Sequence, residues 1–78
     1  MSKDRYESVF RRALVLPDDS PVEMLEYQGV VAWDSVGHMS LIAELESEFD
    51  ISLEMDDVID FDSFQAGKMI LAKYNVVV

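Results

Sequence analysis

No cysteine occurs in the 78 residues of this chain. Neither a disulfide framework nor a thiolate metal site can form, so the fold must be held by packing alone. A chain this short makes one domain, spanning residues 1–78. Half of its residues are hydrophobic, which supplies the apolar surface for a core. Small helical domains meet these terms more readily than small sheets, because their contacts are local in sequence. An all-α fold is the expectation.

The periodicity agrees. Tyr6, Val9, Phe10, Ala13 and Leu14 recur at helical spacing and make one apolar stripe. Ser2 or Asp4 can cap the start of that helix, and Pro17 ends it at or before Leu16. Residues 17–33 form a long connection that opens on the turn formers Pro17, Asp18, Asp19, Ser20 and Pro21. Val22, Met24, Leu25, Tyr27, Val30, Val31 and Trp33 are too apolar for a free linker, so the loop is expected to fold back over one end of the core. A short helical turn is expected over 23–27, broken by Gly29.

A second helix is expected from Ser35 to about Glu48, with Asp34 as its N-cap. His38, Leu41, Ile42, Leu45 and Phe49 share its core face. Val36, Met39 and Ala43 share a neighbouring face, so the apolar arc is wider than one core contact requires. A brief third helix over 54–59 turns Val58 and Ile59 inward. Asp62-Ser63-Phe64-Gln65 resembles a capping box, opening a last helix over 63–74 whose buried face is Phe64, Gly67, Ile70, Leu71 and Tyr74. Val76, Val77 and Val78 read as a frayed tail. The whole is a small four-helix bundle: three main helices, a short third one and a long first loop.

Sixteen acidic residues against six basic ones give a formal charge of -10. Nucleic acid and anionic membrane surfaces are disfavoured as partners, and partners with basic patches are favoured. No run approaches the ~18 apolar residues of a membrane span. The first residues lack the apolar core of a secretory signal, so the cytoplasm is the expected location.

The residues with chemical possibilities cluster in Trp33-Asp34-Ser35-Val36-Gly37-His38-Met39. Ser35 is a plain helix-start residue, a nucleophile, or a point where another enzyme attaches a group. His38 lies one turn on, but serine catalysis would also need a group to orient the histidine, an oxyanion hole and a substrate cleft. His38 reads better as a satisfied packing residue at the rim of the core. Asp56, Asp57, Asp60 and Asp62 depart from the spacing of a calcium loop, and no metal site is expected. What remains is a hydroxyl at a helix start, beside an apolar stripe with an acidic rim. That combination is either a completed core or a docking face.

Asp34-Ser35-Val36, then Met39, Leu41-Ile42-Ala43-Glu44-Leu45-Glu46 and Glu48-Phe49-Asp50, resembles the acyl carrier protein family. The likeness continues through Ile51-Ser52-Leu53, the acidic stretch 54–57 and Ser63-Phe64-Gln65-Ala66, covering about residues 34–72. It implies that Ser35, with Asp34 before it, carries 4'-phosphopantetheine taken from coenzyme A by a separate phosphopantetheinyl transferase. The chain itself would then be a carrier and not an enzyme. Acyl groups would ride as thioesters on the arm's thiol to acyl-loading and acyl-transfer enzymes with basic docking patches.

The resemblance also implies a monomer whose second helix is read by partners through Val36, Met39 and Ala43, with Glu46, Asp56 and Asp57 as the charged rim. The acyl-pocket candidates are His38, Ile42, Leu45, Val58 and Phe61. Val36, Gly37, His38, Ser40 and Ser47 depart from the fatty-acid type. The Trp-Asp-Ser-x-Gly-His form looks like specialised carriers, and a polar His38 at the pocket rim fits a short or polar cargo. Two alternatives stay open: an aminoacyl carrier of D-alanyl or peptidyl type, and an unmodified carrier-like interaction module.

Overall fold

The computed structural model describes residues 2–78. Among them run four helices: α1 (Ser2–Ala13), α2 (Ser35–Phe49), α3 (Met55–Asp60) and α4 (Phe64–Ala72). No strand is present among the described residues, and the protein is an all-α small bundle. None of these helices is long and apolar enough to cross a membrane.

The stripe on α1 is buried as its spacing demands, with Tyr6, Val9, Phe10 and Leu14 in the core. Asp4 lies inside the first turn, where its charge suits the positive end of the helix. Three helices end in the same way. Val15 (φ 55°), Asp50 (φ 54°) and Asn75 (φ 64°) take left-handed backbone. The following N–H in each case reaches back: Leu16 to Arg11 O at 2.8 Å, Ile51 to Glu46 O and Val76 to Leu71 O at 3.1 Å. This closure satisfies carbonyls the helix leaves over. Glycine fills none of the three positions, and at Val15 the β-branched side chain makes the turn unfavourable by roughly 1–2 kcal/mol.

The long loop covers the core, burying Val22 and Trp33 completely and Leu25, Tyr27 and Val30 in part. Met24 and Val31 are exceptions and stand exposed. In place of the expected helical turn over 23–27, Glu26 pairs with Ser63 in an isolated antiparallel bridge. Tyr27 N–H donates to Asp62 O at 2.8 Å and Phe64 N–H to Leu25 O at 2.9 Å. A loop pressed onto a core needs partners for its backbone groups, and the α3–α4 link provides them.

That link also corrects the expected capping box. Ser63, not Asp62, caps α4, its Oγ accepting from Ala66 N–H at 2.9 Å. Gln65 turns instead to the loop, donating to Glu23 O at 3.1 Å. The helix itself stops at Ala72, two residues before the expected Tyr74. On α3, Val58 is half-buried but Ile59 is 68% exposed. Six residues expose one face of the helix whatever they pack against, and Ile59 falls on it. The C-terminal valines are not a simple frayed tail, since Val76 and Val78 pack against the core. Arginines hold α1 to α2: Arg5 bonds Glu48 at 2.8 Å and Arg12 bonds Glu44 at 2.5 Å.

Candidate functional site

Ser35 opens α2 and is exposed. Asp34 precedes it in extended backbone, and its Oδ1 accepts the Gly37 N–H at 2.8 Å. Capping therefore belongs to Asp34 and leaves the Ser35 hydroxyl available. Gly37 has a steric reason. A Cβ there would collide with the Ala32 carbonyl and reach Leu14 Cδ2 at 3.4 Å. The loop thus lies directly on the first turn of α2, which only a glycine allows.

The Ser35 hydroxyl meets the Tyr27 hydroxyl at 3.1 Å. Tyr27 is half-buried, its ring edge-on to His38 at 5.5 Å and to Trp33 at 6.5 Å. The buried Trp33 indole donates its N–H to His38 Nδ1 at 3.0 Å. An indole nitrogen only donates, so Nδ1 is the acceptor and Nε2 carries the proton. That Nε2–H donates to Val58 O at 2.8 Å. His38 is therefore the satisfied packing residue its position suggested, bolting α3 to α2. The Ser35–His38 pair weighed as nucleophile and base is split, with the histidine nitrogens turned to Trp33 and Val58 and the hydroxyl to Tyr27.

Beside Ser35 opens a groove of about 380 Å³ between the loop, the start of α2 and α3. Three of the acyl-pocket candidates, His38, Val58 and Phe61, line it. Ile42 and Leu45 do not. They lie farther along α2, 3% and 0% exposed, inside the hydrophobic core. Tyr27, Met39, Met55, Ile59 and Asp62 complete the wall. With both nitrogens engaged, His38 offers the groove ring carbon and not a polar contact, so the expectation of a polar rim there is not met. The polar groups at the groove are the hydrogen-bonded Tyr27 and Ser35 hydroxyls and the exposed Asp62.

The recognition candidates divide. Val36 and Met39 are 76% and 58% exposed, and Ala43 is exposed farther along α2. Asp56 is exposed on α3. Glu46 instead accepts the Leu53 N–H at 2.9 Å, fixing the α2–α3 link. Asp57 is buried, taking hydrogen bonds from Lys73 Nζ at 2.5 Å and from the Tyr74 hydroxyl. Lys73, and after it Tyr74, hold the Asp57 carboxyl below its usual range. The same contact raises Lys73 and Tyr74. These two acids serve the fold; of the exposed acids, Asp62 lines the groove, and Asp56 and Asp60 lie on α3.

Tyr27, Met55 and Ile59 had no signal in the sequence beyond being apolar or aromatic. Their relation to Ser35 arises when the loop and α3 close on α2. Among the described residues no cluster of three or more His, Asp or Glu side chains is placed to hold a metal. Comparison with family models, with curated proteins and with solved structures finds no match to this chain. Fold and site together define a small acidic helical bundle with one exposed serine hydroxyl in the wall of an apolar groove.

Proposed function

We propose that this protein is an acyl carrier, modified at Ser35 with 4'-phosphopantetheine and working in a specialised biosynthetic pathway. The observation that carries the reading is the exposed Ser35 hydroxyl at the start of α2, freed from capping by Asp34, among the residues that line the groove. The residues fit the group. An accessible hydroxyl accepts the ester, the N-terminus of α2 favours its negative charge, and the groove beside it offers apolar cover. When bound, the group supplies a thiol on a flexible arm, which holds an acyl chain as a thioester.

Installation asks little of the chain itself. Ser35 Oγ attacks the pantetheine-side phosphorus of the coenzyme A pyrophosphate, the P–O bond to the other phosphate breaks, and adenosine 3',5'-bisphosphate leaves with that oxygen. The serine proton passes to the transferase, which also supplies Mg²⁺. Asp34 keeps the helix start ordered while this happens. Val36 and Met39, exposed beside the serine, give partner enzymes an apolar contact, and Asp56, Asp60 and Asp62 give their basic patches opposite charge.

Intact mass tests the reading. Incubation with coenzyme A, Mg²⁺ and a broad-specificity phosphopantetheinyl transferase should add the mass of one 4'-phosphopantetheine group, and Ser35→Ala should abolish the gain. Wild type that gains nothing would refute the carrier reading.

A further inference from the structure

We propose that Tyr27 is a positioning residue for Ser35: its hydroxyl fixes the serine side chain over the groove and so sets the direction in which an arm carried on Oγ leaves the protein. This rests on the carrier reading above and adds to it a residue on a different element.

Tyr27 is itself immobilised at three points. Its backbone N–H is bonded to Asp62 O at 2.8 Å. Its ring stands edge-on to Trp33 and His38. Both of those are locked, Trp33 by complete burial and His38 by bonds at each nitrogen. The phenol oxygen is therefore a fixed point, 3.1 Å from Ser35 Oγ.

An exposed serine at a helix start otherwise distributes over its staggered rotamers. One net hydrogen bond favours the bonded rotamer roughly five-fold. In the unmodified protein either hydroxyl can donate. Once Oγ is esterified it has no proton, and only the tyrosine can. Its O–H then faces the ester oxygen and the charged phosphate oxygens, and a bond to an ionised acceptor is stronger than a neutral one. Tyr27 and Ser35 share the groove with Met39, Met55 and Ile59, whose exposed apolar side chains an arm laid along it would cover. The latch thus points the attachment atom along an apolar wall and not into solvent.

The test compares modified wild type with modified Tyr27→Phe, which keeps the ring and its packing and loses only the hydroxyl. Both should gain the same mass, and the variant should stay folded and melt only about 4–8 °C lower, the cost of one hydrogen bond. On modification, amide chemical shifts at Met55, Val58 and Ile59 should change in wild type, and those changes should shrink roughly two- to three-fold in Tyr27→Phe, as the bonded rotamer falls back to about one of three. Equal changes in the two proteins would overturn the proposal. A second measurement needs no variant: nuclear Overhauser contacts between the Tyr27 ring and the first carbons of the arm should be present in modified wild type, and their absence would equally overturn it. Wild type that gains no mass fails at the earlier step and takes the carrier reading with it.

Discussion

Gly67→Ala is a perturbation on which local and tertiary effects oppose each other. Gly67 lies within α4, where alanine is the better helix former by about 1 kcal/mol. On propensity alone the substitution stabilises. The structure reverses the sign. The new Cβ would fall inside van der Waals contact with the Tyr6 hydroxyl and the Phe61 ring, whose Cε1 would lie at 2.8 Å. Neither neighbour can retreat, since both are fully buried and Tyr6 donates to Phe64 O at 2.7 Å.

Overpacking of this kind costs about 1–3 kcal/mol, and breaking a buried hydrogen bond costs about 1–3 kcal/mol more. Set against the propensity gain, the net loss is about 3 kcal/mol, or roughly 12–24 °C in melting temperature for a domain of this size. Thermal melts followed by circular dichroism read it directly. Tyr6→Phe removes the atom in the way, so the double variant should be less destabilised than the sum of the two single ones. An unchanged or raised melting temperature for Gly67→Ala would refute the packing described at this position.

Two further outcomes are expected. Asp57 is held below its usual range by Lys73 and Tyr74, so it contributes stability above the unfolded carboxyl value of about 3.9 and loses it as pH falls toward the folded value. The melting-temperature gap between wild type and Asp57→Asn should therefore be open at neutral pH and narrow progressively in acid, and a gap that stays constant into acid would contradict the linkage. Met39→Glu changes a side chain that is 58% exposed, so stability should move by no more than about 0.5 kcal/mol while kcat/KM for modification by the transferase falls. A large loss of stability would place Met39 in the core instead.

The sequence by itself determined the helical class, the stripe on α1, the start of α2 and the cap at Asp34. Each of these is written in neighbours a few residues apart: apolar spacing, a capping side chain, a proline. It also singled out Ser35, and the satisfied state of His38, because a helix start exposes a hydroxyl and a lone histidine on an apolar face needs partners. The tertiary structure alone decided what surrounds that serine. Tyr27 reaches it from eight residues away through a loop held by the Glu26–Ser63 bridge, and Ile59 stands at the groove and not in the core.

Burial of charge was decided the same way. Asp56 and Asp57 are adjacent acids in one sequence pattern, yet one is exposed and the other buried against Lys73 and Tyr74. Gly37 and Gly67 make the same point. Helix propensity reads both as weak positions, whereas the carbonyl of Ala32 and the rings of Tyr6 and Phe61 lie where a side chain would have been. Contacts between residues distant in the chain depend on how the elements close on one another, and local spacing carries no record of that closure.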